Sequence, residues 1–298
     1  MKKEQFLPDV HAFYVPEMPA AVLDILTSTR YYRTSLLTEV RLITIPREHE
    51  APAEIVWTLE KESDDFDILM ELSEALKNIK LLITFNGDSF DIPHLTKKYA
   101  AYRLEDPFEG KHTLDLLKKL RLFDPLFHLP AHTLSDYMGL FQKNETLPAT
   151  NDAEAELLLT SLLPLEGFMN GNFIVENIDA QEDCVTFSLL PGTGVPISLS
   201  SSDGPFTLTL SGGRAALKAD LFDGRFRRYY PNYRDYEFLS HEGYAVHKSV
   251  SQSVAKSRKE KAVRENCFSF FKCTENFLED KDSVKKYAVS ALRYMIGK

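Results

Sequence analysis

Residues 81–95 read as strand, break and helix in immediate succession, and that order constrains the chain more than any other stretch. Leu81, Leu82, Ile83, Thr84 and Phe85 form a short apolar, partly β-branched run, the pattern of a buried strand. Asn86-Gly87 breaks it, since both residues tolerate positive φ. Ser89 or Asp91 can cap the helix that follows, with Pro93 in its first turn. Asp91 therefore falls where a strand ends and a helix begins. At the carboxyl edge of an α/β sheet a carboxylate there faces a crevice, not the core. The same residue also reads as a plain helix cap.

Such a unit needs strands to pair with, and the preceding residues supply them. Residues 20–26 form an apolar run ending near Asp24, residues 39–45 alternate, and residues 54–59 read as a third strand. Phe66, Leu69, Leu72, Leu76 and Ile79 then recur at helical spacing. Residues 112–120 are amphipathic, residues 131–140 read as a short helix stopped by Gly139, and residues 151–163 form a strong helix capped by Asn151 or Asp152. Pro164 ends it. After Gly167 the texture changes to short strands separated by Asp, Gly and Pro turns, as in a β-meander. Residues 242–265 then read as a basic helix, and residues 283–296 as a closing one. The expected division is an arm over 1–19, an α/β domain over 20–166 and a β-rich module with a basic helix over 167–298. Two domains suit a chain of 298 residues, and a hydrophobic content of 44% supplies packed cores for both.

Composition narrows the function classes. No apolar run approaches the ~20 residues that span a bilayer, so no membrane partner is expected. Two lysines near the start precede no apolar segment, so no signal peptide is read there. The 3 cysteines, at 184, 267 and 273, match neither a disulfide framework nor a zinc site, which points to reduced thiols in a cytoplasmic protein. A formal net charge of −9 argues against a protein that coats nucleic acid. It leaves room for a nuclease, which grips a few phosphates locally beside an acidic metal site.

The string Asn86-Gly87-x-x-Phe90-Asp91-x-Pro93-x-Leu95 resembles the second exonuclease motif of the ribonuclease H-like DEDD exonucleases. The resemblance implies a mixed sheet flanked by helices. It implies that Asp91 binds a catalytic metal, that Phe90 packs beneath it, and that Asn86 and Gly87 shape the loop over the substrate strand. Such enzymes use carboxylates around two Mg²⁺ or Mn²⁺ ions, because hard divalent ions take oxygen ligands. The first motif of the family, Asp-x-Glu-Thr, corresponds to Asp24-Ile25-Leu26-Thr27. Asp24 is kept, and the Glu position is Leu26, which cannot ligate a metal. The third motif corresponds to 150–154, with Glu154 at the Asp position in one register and Ala155 in the other. Asp152 stands as a further candidate ligand, and Thr150 occupies the place of the usual His. The expectation is impaired two-metal catalysis, with Asp24, Asp91 and Glu154 as the catalytic set and Asp24, Asp91 and Asp152 as the metal set.

Farther on, residues 228–236, Arg-Tyr-Tyr-Pro-Asn-Tyr-Arg-Asp-Tyr, and residues 247–250, His-Lys-Ser-Val, resemble the carboxy-terminal region of bacterial YprB-like ribonuclease H-like proteins. The basic stretch with its aromatics reads either as a packed structural face or as a surface that grips phosphates and stacks bases. In the second reading Lys248, Lys256, Arg258 and Lys259 join Asn86, Gly87 and Phe90 in holding a single-stranded nucleic-acid end. The alternative is a non-catalytic protein-interaction scaffold on the same fold.

Overall fold

The computed structural model describes residues 2–6, 14–28, 36–46, 51–60, 65–142 and 151–297. The chain divides into two compact units, Met1–Leu122 with Leu129–Leu163, and Phe123–His128 with Pro164–Lys298.

The first unit is built on strands β1 (Lys2–Phe6), β2 (Ala20–Thr27), β3 (Leu37–Ile45), β4 (Ala53–Thr58), β5 (Leu81–Thr84) and β6 (His112–Asp115). Their order in the sheet is β1-β4-β3-β2-β5-β6. The pairings from β1 to β2 are antiparallel, whereas β2–β5 and β5–β6 are parallel. Helices α1 (Asp65–Leu76) and α2 (Asp91–Ala101) make the crossovers that parallel pairing requires. Helices α3 (Leu116–Leu120), α5 (Leu134–Gln142) and α6 (Asp152–Leu159) complete the unit, and a short α4 (Asp124–Phe127) between them belongs to the second unit. One side of the sheet is sealed by Leu23, Leu42 and Trp57 against Leu69, Leu72 and Leu76 of α1 and Leu95 and Tyr99 of α2. The apolar period of α1 read from sequence is the face that makes this seal.

Several readings need correction. Lys2–Phe6 is not part of a free arm, because it pairs with β4 as an edge strand. Residues 112–115 extend along β5 instead of opening a helix, since the sheet edge there offers hydrogen bonds. Gly139 does not stop α5. Its φ is not positive, so the helix passes through it. Pro164 opens the next helix, where its missing N–H costs nothing.

The second unit contains α7 (Pro164–Met169) and an antiparallel sheet of β7 (Phe173–Ala180), β8 (Cys184–Pro191), β9 (Leu199–Asp203), β10 (Phe206–Ser211) and β11 (Arg214–Asp220), ordered β7-β8-β11-β10-β9. Strands β12 (Arg225–Tyr229) and β16 (Phe268–Lys272) form a ribbon, and β13 (Tyr236–Leu239), β14 (Tyr244–His247) and β15 (Lys259–Lys261) form a third sheet. Helices α8 (Glu275–Glu279) and α9 (Lys281–Met295) follow, and α9 packs on β7, β10 and β12. Its Tyr287 sits among Phe187, Phe206, Phe226, Phe271 and Phe277.

The expected basic helix over 242–265 does not form. That span holds β14, two single 3-10 turns and β15. Tyr244 and Val246 alternate at a period of two, and pairing with β13 decides the outcome over any helical preference of the lysines. Among the described residues no helix is long and apolar enough to cross a membrane.

Candidate functional site: a buried carboxylate cluster

Four carboxylates on separate elements converge electrostatically in the first unit. Asp24 lies on β2 and is buried, opposite Arg41 on β3. Asp91 is the first residue of α2 and is also buried. The residue capping that helix is Phe90, and no side chain makes the cap bond. Asp91 is therefore neither the cap nor sheltered by one.

The turn that delivers Asp91 is set by its neighbours. Asn86 adopts φ 65° and its amide donates to Asp115 Oδ1 at 3.0 Å. Gly87 lies against Thr84 so closely that a Cβ would stand 2.3 Å from the Thr84 side chain. Phe90 packs on the core from its edge. Asp115 also caps α3, accepting from the amides of Leu117 at 3.0 Å and Lys118 at 3.4 Å. It thus ties the end of β6 to the loop after β5.

The third member is Glu156 on α6, which is 2% exposed and whose Oε2 has no hydrogen-bond partner. Burial raises its pKa well above the carboxylate range, and the charges of Asp24 and Asp91 add to that rise, while the Phe85 backbone opposes it. Burial likewise raises Asp91, with further contributions from Asp24 and Asp115. Asp24 is pushed up to about 6, first by burial and then by Asp152, with Arg41 pulling the other way. The Ile25 backbone works against the rise at both Asp24 and Asp91. Like charges gathered away from water raise one another in this way.

The sequence-derived set is thus partly brought together. Asp24 and Asp91 share one neighbourhood, and exposed Asp152 acts on Asp24 from the start of α6. Glu154 is also buried, and the cap of α6 holds it. Asn151 caps α6 by accepting from the Glu154 amide at 2.9 Å, and its Nδ2 donates to Glu154 Oε1 at 3.1 Å and to Glu54 Oε1 at 3.4 Å. Glu54 in turn pairs with Arg41 at 3.0 Å. Sequence reasoning stopped at Glu154 and missed Glu156. The signal was present: Asp152 and Glu156 are four apart and share one helix face. Asp115 was missed as well, because it was read inside an amphipathic segment. Leu26, beside a bulge at the end of β2, is 42% exposed and stands opposite Glu39. Asp88, half-buried in the loop, pairs with Lys118 at 2.6 Å. Thr150 lies outside the described residues.

The RNase_H superfamily model RNase_H_2 matches residues 38–140. The fold of the first unit is ribonuclease H-like. Asp24, Asp152 and Glu156 lie outside the matched span, and Asp91 and Asp115 lie within it. No curated protein matches the chain. Among solved structures, the chain is similar to the family B DNA polymerase from the hyperthermophilic archaeon Pyrobaculum calidifontis, at 15% identity and a TM-score of 0.36. That alignment covers 50% of this chain and 25% of the polymerase chain.

Ribonuclease H-like nucleases generally use divalent metals, and the donors here fit one in kind. All are hard oxygens, and the buried Oε2 of Glu156 has no hydrogen-bond partner. The cluster is not closed, however: among the described residues no three His, Cys, Asp or Glu side chains are grouped to hold an ion.

Proposed function

We propose that the protein processes or holds nucleic-acid ends as a relative of the DEDD 3′-to-5′ exonucleases, with impaired two-metal catalysis. The observation that supports this reading is that Asp24, Asp91 and Glu156 are all buried in the ribonuclease H-like unit, Glu156 with an oxygen that has no hydrogen-bond partner. Burying several like charges destabilises a fold, so a cluster of this kind marks a site more readily than a scaffold. Asp24 and Asp91 would be the ligands to Mg²⁺ or Mn²⁺, with Asp152 at the solvent edge; Glu156 is buried in the same unit, and no three of these carboxylates are grouped to hold an ion as they stand. A bound ion supplies charge that activates water and stabilises a leaving oxygen. The chain's own groups keep the site dry and orient the loop through Asn86, Gly87 and Asp115. The impairment follows from Leu26 in the place of a ligand and from Thr150 in the place of a general base, a role typically worth ~10²- to 10⁴-fold. Lys248 and Lys256, both exposed, are proposed phosphate contacts. Arg258 and Lys259 are weaker ones, since Glu242 and Glu237 already pair with them at 3.1 Å and 2.9 Å.

The test is cleavage of a labelled single-stranded oligonucleotide with Mg²⁺ or Mn²⁺. Wild-type turnover is expected at or near the detection limit. Leu26→Glu with Thr150→His should give Mn²⁺-dependent shortening that Asp91→Ala removes. Robust wild-type turnover abolished by Asp91→Ala would keep the site and refute the impairment. Turnover indifferent to both Asp24→Ala and Asp91→Ala would refute the reading altogether.

A second reading, a non-catalytic interaction scaffold, is favoured by the open arrangement of the carboxylates. It predicts no calorimetric Mn²⁺ binding and no oligonucleotide binding.

A further inference from the structure

The second unit contains a cavity of about 850 Å³ that the carboxylate cluster does not use. That is within the size of small-molecule sites, roughly 300–1,000 Å³. One wall is a face of α9. Lys285, Lys286 and Arg293 line the space, while Val284, Tyr287, Ala288 and Leu292 of the same helix are buried. Another wall is the turn after β12, where Tyr230 and Tyr233 line it. This is the tyrosine-rich stretch singled out in the sequence, and the fold sets it against a helix that the sequence marked only as a closing one.

The cations differ in how far they are already engaged. Arg264 also lines the cavity, but it pairs with Asp203, donates to the Tyr294 carbonyl at 2.6 Å and lies 4.1 Å over the Tyr294 ring. It braces the wall. Arg293 donates to Asn170 Oδ1 at 3.0 Å, and Lys285 lies 5.5 Å from the Phe173 ring, both neutral partners. Among the described residues no carboxylate lies within ion-pair distance of Lys285, Lys286 or Arg293; Asp282 shares the lining, and Asp280 is near enough to Lys286 to feel its charge. The cavity is thus rich in positive charge. Its aromatic side is rigid: Tyr230 bonds Ser269 Oγ at 2.7 Å through its hydroxyl and stacks on Tyr236 at 4.7 Å and 12°.

Inorganic phosphate alone would not need an aromatic wall, and an apolar ligand would not need three cations. A planar base that carries phosphate uses both. We propose that this cavity seats a nucleotide unit of a single-stranded nucleic acid, with Lys285, Lys286 and Arg293 on the phosphates and Tyr230 and Tyr233 at the base. A free nucleotide presents the same chemistry. The inference deepens the nucleic-acid reading above and rests on it for the class of ligand.

The experiment is fluorescence anisotropy of labelled single-stranded DNA and RNA 10-mers with the full chain, across a salt series, with a mononucleotide as competitor. The triple variant Lys285→Ala/Lys286→Ala/Arg293→Ala should bind at least about tenfold more weakly, its log–log salt slope falling by about 0.7 for each phosphate that is no longer gripped. Tyr233→Leu should weaken binding severalfold and leave the slope unchanged. Lys261→Ala/Lys272→Ala, which removes exposed lysines outside the cavity, should bind as wild type. An iodouracil-substituted oligonucleotide should crosslink within residues 229–233, a readout that needs no variant to fold. Equal affinity of the triple variant, or no binding by the wild type, overturns the proposal. Mononucleotide binding without oligonucleotide binding overturns the strand as ligand. If trimming fails in every variant while oligonucleotide binding follows the α9 cations, only the carboxylate reading falls.

Discussion

At the scale of the residue, Asp24 is informative because its proton is held more tightly in the folded state than in the open chain. Its pKa rises from 3.8 to about 6. The stability this contributes is therefore full below about pH 4 and lost as pH rises through 6. Asp91 and Glu156 shift in the same direction. The metal-free protein should lose on the order of 2–3 kcal/mol between pH 4 and pH 7 from Asp24 alone. Thermal melts with a chelator should show the melting temperature falling across that window, and Asp24→Asn should flatten the fall and melt higher at pH 7. A wild-type melting temperature that climbs from pH 4 to pH 7 would contradict the burial argument. The two glutamates of α6 provide a second comparison. Glu156→Gln should weaken calorimetric Mn²⁺ binding by tenfold or more, whereas Glu154→Gln should leave it within about twofold. A larger effect of Glu154→Gln than of Glu156→Gln would mean that Glu154, and not the orphan carboxylate, serves the site.

At the scale of the element, the β5–α2 turn works through close approach. Gly87 is required by Thr84, not by a positive φ. Gly87→Ala should destabilise the protein by about 1–3 kcal/mol in a denaturant titration, the ordinary range for overpacking. A change under a few tenths would show that Thr84 can move aside. Helix α6 depends on its cap, so Asn151→Ala should cost about 1 kcal/mol. It should also remove the Nδ2 bonds to Glu154 and Glu54, leaving the Arg41–Glu54 ion pair in place. The basic stretch over 242–265 shows the opposite relation between residue and element. Its lysines and arginines suit a helix, yet Tyr236–Leu239 offers strand edges on both sides, and β14 and β15 take them.

At the scale of the whole molecule, the second unit is discontinuous in sequence. It takes Phe123–His128 from the middle of the first unit's chain. Leu126 and Phe127 of α4 are buried, α4 packs on β9, and His128 Nε2 lies 3.0 Å from Ser201 Oγ. A fragment beginning at Pro164 should therefore unfold at a lower temperature than the second unit does in the full chain, and it should bind more of a hydrophobic dye. Equal melting of the fragment and the intact unit would show that α4 contributes nothing.

The strand, turn and helix over 81–95 and the apolar face of α1 were legible in the sequence, because period and turn chemistry are local properties. The run of short strands after Gly167 was legible for the same reason, but the expected meander order was not: β8 pairs with β11 and β9 lies at the far edge, a non-sequential pairing that no local signal marks. Helix α6 was legible as an element, but not the identity of its inward carboxylate. Asn151 looked like the register mark, and Glu154 lay nearest to it. Only the packed structure shows Glu154 drawn to Asn151 and Glu54 while Glu156 faces Asp24 and Asp91. The edge strand Lys2–Phe6, the strand at His112–Asp115 and the loss of the basic helix were likewise decided by partners distant in the chain. A sheet edge satisfies backbone groups that no local preference can satisfy, and the tertiary packing decides which oxygens of two buried acids find partners: Glu154 Oε1 takes Asn151, and Glu156 Oε2 takes none.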